Sequence, residues 1–174
     1  MREFFIRALS GSIYAFAIIA SLLYNEIIFY LILFVFIGLT IFEFQKLTNH
    51  ISIFPYILLI ILWGAFIQLD STFKSYLKFL LIPALLSHTL LILWLYIQFD
   101  ITKKRIFKNL LSLFYITLSG FFIIFLTEFN IKYNPYVLIL LYTLTWVNNT
   151  FAYIIGTLFG KNLLFKSISP KKSW

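Results

Sequence analysis

Six apolar stretches, each near the roughly 20 residues needed to cross a hydrocarbon core, take up almost the whole chain and point to a bilayer as its solvent. They run about Ala8 to Leu23, Ile27 to Phe42, Ile51 to Leu69, Leu77 to Tyr96, Phe107 to Thr127 and Tyr136 to Phe159. Of the 174 residues 62% are hydrophobic and 11% charged, with mean hydropathy +0.98. A water-soluble domain of this size needs more polar surface than that. Ile, Phe and Tyr favour strands, but a membrane barrel shows alternating polarity in units of about ten residues. Continuous apolar blocks predict an all-α membrane protein of about six transmembrane helices. The first two stretches, joined only by Tyr24-Asn25-Glu26, suit a tight helical hairpin.

Arg2 and Arg7 before an apolar run resemble a secretory signal. No small-x-small cleavage site follows Leu23, however, and further apolar stretches come after it, so the run is counted as a span. With the N-terminus inside, eleven of the 14 Lys and Arg fall on one side, and only Lys74, Lys78 and Lys132 on the other. That asymmetry predicts cytoplasmic N- and C-termini. The net charge of +8 then belongs to the membrane surface, not to nucleic acid. The 22 Phe, 11 Tyr and 4 Trp fit rings packed on acyl chains and seated at headgroup level. Zero cysteines exclude disulfides and thiolate chemistry. No linker or repeat divides the chain, which predicts one membrane-embedded domain over 1–174. Ile97 to Lys108 is the longest polar interruption, read as a positive-inside loop or, alternatively, an interfacial segment.

Polar residues inside spans are functional candidates, because hydrocarbon offers them no hydrogen-bond partner. His88 is either a neutral imidazole bonded to a neighbouring helix or a catalytic group. Glu43 and Lys46, three apart, can pair on one helix face or stay solvated. The last stretch is the most polar: Asn148 and Asn149 follow Thr143, Thr145 and Trp146 and precede Thr150 and Tyr153. At 100° per residue Thr145, Asn149, Ala152 and Gly156 share a stripe that Gly160 continues, and Ala152, Gly156 and Gly160 suit close helix packing. Beyond it come Lys161, Lys166, Lys171 and Lys172, which are either topology anchors or, at Ser169-Pro170-Lys171-Lys172, a rigid turn presenting two ammonium groups to phosphate.

Trp146-x-x-Asn149-x-x-Ala152-Tyr153-x-x-Gly156-x-x-Phe159-Gly160-Lys161, followed by Ile168-Ser169-Pro170-Lys171-Lys172-Ser173, resembles the central motif of the phosphatidate cytidylyltransferases, or CDP-diacylglycerol synthases. Glu43-Phe-Gln-Lys46 and the six-span layout also resemble that family's N-terminal part. The resemblance implies integral membrane enzymes that join CTP and phosphatidate, release pyrophosphate and require magnesium. It implies phosphate contacts at Lys171 and Lys172, a turn shaped by Ser169, and a polar intramembrane site at Asn148, Asn149 and Tyr153.

Two departures qualify what is implied. Asn149 stands where the family has aspartate, and an amide is a poorer ligand for a hard cation than a carboxylate. The family also continues beyond the position of Trp174, with further spans and acidic residues, so the resemblance covers about two thirds of a family member. Glu3, Glu26, Glu43, Asp70, Asp100 and Glu128 all sit at predicted span ends and do not cluster. The expectation is therefore a chain inactive alone. Two other readings stand beside it: a non-catalytic interaction subunit, packing through Ala152, Gly156 and Gly160 against a separate C-terminal fragment or a second copy, and a small transporter.

Overall fold

A computed structural model of the chain describes residues 2–68, 70–97, 105–129, 132–160, 163–165 and 169–173. Lys161, Lys166, Ile168 and the basic run at 98–104 lie outside the described residues. The chain divides into two compact units, Met1–Pro135 and Tyr136–Trp174. The architecture is helical, that of an all-α multi-pass membrane protein, with two short antiparallel strand pairs that hydropathy alone does not reveal.

In the first unit α1 (Arg2–Tyr24) and α2 (Glu26–Leu47) form the expected hairpin, with only Asn25 between them. Extended backbone at Asn25 lets its side-chain oxygen accept from the Ile27 N–H at 2.7 Å, capping α2. α3 (Phe54–Gln68) has 15 residues, which is short for a full crossing. α4 (Ser71–Leu77) passes through a 3₁₀ turn at Lys78–Leu80 into α5 (Leu81–Ile97). Pro83 accounts for that tightened turn, since it has no N–H and its ring crowds the carbonyl one turn earlier. The fifth stretch starts as α6 (Arg105–Leu110), widens into a π-helix at Leu111–Leu118 and returns to α-helix as α7 (Ser119–Phe122).

The core of this unit is built on α2. Phe29, Leu33, Ile37, Ile41 and Gln45, each four residues after the last, form one buried ridge. Facing it are Leu59, Leu62, Trp63 and Phe66 of α3 with Leu118, Phe121 and Ile124 of the fifth span. Aromatic edges meet aromatic faces there: Phe66 with Phe121 at 6.0 Å, Phe66 with Phe125 at 5.4 Å and Phe34 with Trp63 at 5.4 Å between ring centres. Large apolar side chains elsewhere, such as Phe42, Ile60 and Leu93, are exposed, as lipid-facing groups must be.

The two ends of the unit differ in chemistry. At one end Lys108 Nζ donates to the Thr48 carbonyl at 2.6 Å, and His50 Nε2 meets Asn109 Oδ1 at 3.0 Å. At the other end Lys74 pairs with Glu128 at 3.1 Å, and Tyr133 donates to the Leu22 carbonyl at 2.8 Å. Tyr133 sits on β2 (Lys132–Tyr133), which pairs antiparallel with β1 (Glu128–Phe129). Burial, and after it the charge of Glu26, push the Tyr133 hydroxyl up to about 12. The folded chain thus favours the neutral phenol. Its stabilisation is complete below the ordinary value of about 10 and is lost as pH rises from about 10 to about 12. Thermal melts in detergent should show an added loss of stability across that interval, reduced in Tyr133→Phe. An identical pH profile for the variant would rule the linkage out.

The second unit consists of α8 (Tyr136–Leu158), β3 (Leu163–Phe165) and β4 (Ser169–Ser173). β3 and β4 pair antiparallel with Leu163 opposite Ser173, and β4 touches α8. Ser169-Pro170-Lys171-Lys172 therefore lies on a strand, which corrects the expected turn. Proline is compatible with extended backbone when its missing N–H falls on an open edge, and a two-stranded sheet is all edge. Gly160 lies past the end of α8, so it does not extend the helical stripe.

Candidate functional site

α8 is the least apolar of the four helical stretches long and apolar enough to cross a membrane, with mean hydropathy 1.4 against 2.6 for α2. The difference comes from its polar residues. Thr143, Thr145 and Thr157 each return their hydroxyl to the carbonyl four residues earlier, at 2.8, 2.8 and 2.9 Å. Asn148 and Asn149 have no such recourse: both are exposed, and neither amide has a hydrogen-bond partner among the described residues. In a bilayer an amide without partners is expensive, so such groups are kept for a ligand or another helix.

The helix brings Trp146, Asn149 and Tyr153 to one face, at spacings of three and four, and Thr145, Asn149, Ala152 and Gly156 to an overlapping one. Tyr153 and Ala152 are exposed and Gly156 is half-buried. Ser169, Lys171 and Lys172 are placed together on β4, in the same unit as α8. The candidates of the last stretch and of the motif beyond it thus fall in Tyr136–Trp174, whereas Glu43, Lys46 and His88 belong to the first unit.

The first unit contains a second polar region that local spacing does not disclose. α2 ends in a Schellman motif: the Asn49 N–H bonds the Lys46 carbonyl at 3.2 Å and the His50 N–H bonds the Gln45 carbonyl at 3.0 Å. Asn49 takes the left-handed conformation, φ 49°, that this cap requires and asparagine tolerates. The reversal brings Ser52 back to Gln45, which is buried. The Gln45 amide donates to the Ser52 carbonyl at 2.8 Å and accepts from the Ser52 N–H at 3.2 Å. Lys108 and Asn109 of α6 then fix the loop from the far side, as described for Thr48 and His50.

These contacts hold open a groove of about 710 Å³, lined by Phe42, Gln45, Lys46, Asn49, His50, Ile51, Tyr56 and Arg105. Glu43 and Lys46 do not pair, and both side chains are exposed. The signal in the sequence was the polar run Glu43 to His50 directly after an apolar span. What it lacked was the long-range partner.

His88 lies elsewhere. Its Nδ1 donates to the Ala84 carbonyl of its own helix at 2.8 Å, and its ring packs on Tyr115 at 4.8 Å between centres. It is tied to its own backbone at Nδ1 and packed against Tyr115 of a neighbouring segment.

A magnesium site calls for several oxygen ligands, mostly carboxylates. Among the described residues no three or more of His, Asp and Glu gather where a metal ion could be held. Glu26 and Glu128 lie at the end opposite Glu43, and α8 carries amides and hydroxyls but no carboxylate. The described donors therefore do not fit the metal that the family resemblance implies.

A family model for the cytidylyltransferase family matches residues 5–174. The phosphatidate cytidylyltransferase of Aquifex aeolicus (strain VF5) is 40% identical over 67 residues, which are 38% of this chain and 24% of that relative. The shared stretch thus spans about a quarter of the relative's length. No solved structure matches the chain.

Proposed function

The chain belongs to the cytidylyltransferase family, and on that premise we propose that it serves phospholipid biosynthesis as a phosphatidate cytidylyltransferase-type protein, with CTP and phosphatidate as substrates. The observation that carries this reading is the family match itself, which runs through α8 and β4 to the last residue of the motif. Lys171 and Lys172 contact substrate phosphates as point charges, and Ser169 shapes the strand that presents them. Asn148, Asn149 and Tyr153 supply the intramembrane polar site, where the unpaired amides hydrogen-bond substrate. Ala152 and Gly156 let another helix approach closely. The basic face is cytoplasmic, and the membrane is a bacterial inner membrane.

Transfer of a cytidylyl group builds negative charge at the α-phosphorus of CTP as pyrophosphate leaves, and fixed cations must meet that charge. Two lysines and neutral amides answer only part of the need. The 174 residues alone are accordingly inactive.

Calorimetric titration of the purified chain in detergent with CTP should show saturable binding, weakened about tenfold or more in Lys171→Ala/Lys172→Ala, since each charged hydrogen bond is worth about 1.5–3 kcal/mol. Absence of CTP binding, or equal binding by the variant, would remove the assignment. Formation of CDP-diacylglycerol by this chain from CTP, phosphatidate and magnesium would overturn the inactivity.

A further inference from the structure

We infer that the groove between the end of α2 and the start of α6 is a binding site for the phosphate headgroup of an anionic phospholipid, formed by the first unit alone. The inference goes beyond the proposed transfer reaction, whose residues lie on α8 and β4.

The argument rests on which polar groups in the groove are already satisfied. Gln45 is bonded through both its nitrogen and its oxygen to the Ser52 backbone, and His50 is held by Asn109. Lys108, just behind, is taken by the Thr48 carbonyl. The side chains of Lys46, Arg105 and Asn49 remain, and none of these side chains has a hydrogen bond or ion pair among the described residues. Among the described residues no carboxylate lines the groove. The nearest in sequence, Glu43, is exposed and unpaired, whereas the Lys74–Glu128 ion pair lies at the opposite end of the unit. A planar guanidinium, an ammonium and an amide around one opening match a phosphate, which takes a forked contact from Arg and a point charge from Lys.

The remaining walls identify the source of the phosphate as lipid. Phe42, Ile51 and Tyr56 are apolar or amphipathic, and Phe42 and Ile51 are 61% and 89% exposed. The groove opens where α2 ends and the fifth span begins, at headgroup level for helices that cross a bilayer. Acyl chains entering from that level meet the exposed apolar flank of α2 (Leu31, Val35, Leu39). A nucleotide would gain nothing from such a surface. Basic pockets between spans are suited to lipid phosphates for this reason.

Native mass spectrometry of the full chain in detergent, titrated with phosphatidylglycerol, tests the site. The expected result is saturable uptake of about one lipid and about tenfold weaker uptake in Lys46→Gln/Arg105→Gln. Affinity should be retained in the charge-preserving Lys46→Arg/Arg105→Lys and in Lys171→Ala/Lys172→Ala. The last variant separates this site from the proposed substrate residues, so either can fail without the other. Photoreactive phosphatidylglycerol on the wild-type chain requires no variant to fold: crosslinks should map to 42–56 and 105–109. Equal uptake by the Gln pair, equal uptake of phosphatidylcholine, or crosslinks confined to other segments would overturn the proposal. Displacement of the lipid by CTP or inorganic phosphate at equal concentration would assign the groove to a free phosphate instead.

Discussion

Gly120→Leu is expected to destabilise the Met1–Pro135 unit by about 3 kcal/mol, by overpacking of its core. A Cβ added at Gly120 would lie 2.8 Å from Cγ1 and 3.0 Å from Cδ1 of Ile37. Cγ1 is bonded directly to the branched Cβ of a side chain with few rotamers, so it cannot swing aside as the tip of a long chain would. Ile37 is itself buried in the middle of the α2 ridge, between Leu33 and Ile41. Either the fifth span must move away from α2, or the ridge must distort. Gly120→Ala should cost about 1–2 kcal/mol by the same contact. Adding Ile37→Ala removes the obstructing atoms, and the double variant should recover part of the loss, with a coupling of about 1 kcal/mol or more. Denaturant or thermal melts in one detergent provide the measurement. A Gly120→Leu chain that melts with the wild type would show that the two helices do not meet there.

That contact illustrates what local sequence could and could not disclose. Span positions are legible because hydropathy is summed over neighbours: α8 falls within a residue of the predicted limits, and α2 starts where expected but runs on to Leu47, past the expected end at Phe42. Gly120 gave no comparable signal. Its importance depends on Ile37, more than eighty positions earlier, and on the phase set by the preceding π-helix. There Thr117 donates to the carbonyl of Ser112, five residues back, at 3.0 Å. A wide turn of this kind shifts every later residue around the helix axis, and no periodicity taken at 100° per residue anticipates it.

The candidate sites divide in the same way. The α8 stripe needed only spacing along one helix, and Trp146, Asn149 and Tyr153 do share a face. Ser-Pro is turn chemistry, which makes a turn at Ser169 to Lys172 one of the two readings the sequence allows. Its strand character depends on pairing with Leu163–Phe165, which the dipeptide does not encode. The groove needed still more: its loop is held by side chains 59 and 60 positions away, His50 to Asn109 and Lys108 to Thr48. Charge counting nevertheless foresaw its setting, because the loop after α2 and the start of the fifth span were assigned to one face. The structure brings them together.

Gln45→Leu is the second large effect expected, about 2–4 kcal/mol of destabilisation with loss of the groove. A leucine fits the volume and matches the apolar ridge of which Gln45 is the last member, so side-chain burial alone would predict a neutral or favourable change. The opposing effect is hydrogen bonding. The amide satisfies both the N–H and the C=O of Ser52, and each half-buried backbone group left unpaired costs about 1–3 kcal/mol. Two such groups outweigh the gain of burying a few more apolar atoms, about 25 cal/mol per Å². Ser52→Ala is the matched control. It removes the hydroxyl but leaves the paired backbone intact, so its effect should stay within about 0.5 kcal/mol. Because the pair anchors the loop carrying Asn49 and His50, Gln45→Leu should also lower phosphatidylglycerol uptake while leaving CTP binding unchanged. Wild-type stability and lipid uptake in Gln45→Leu would mean that the loop is held by Lys108 and Asn109 alone.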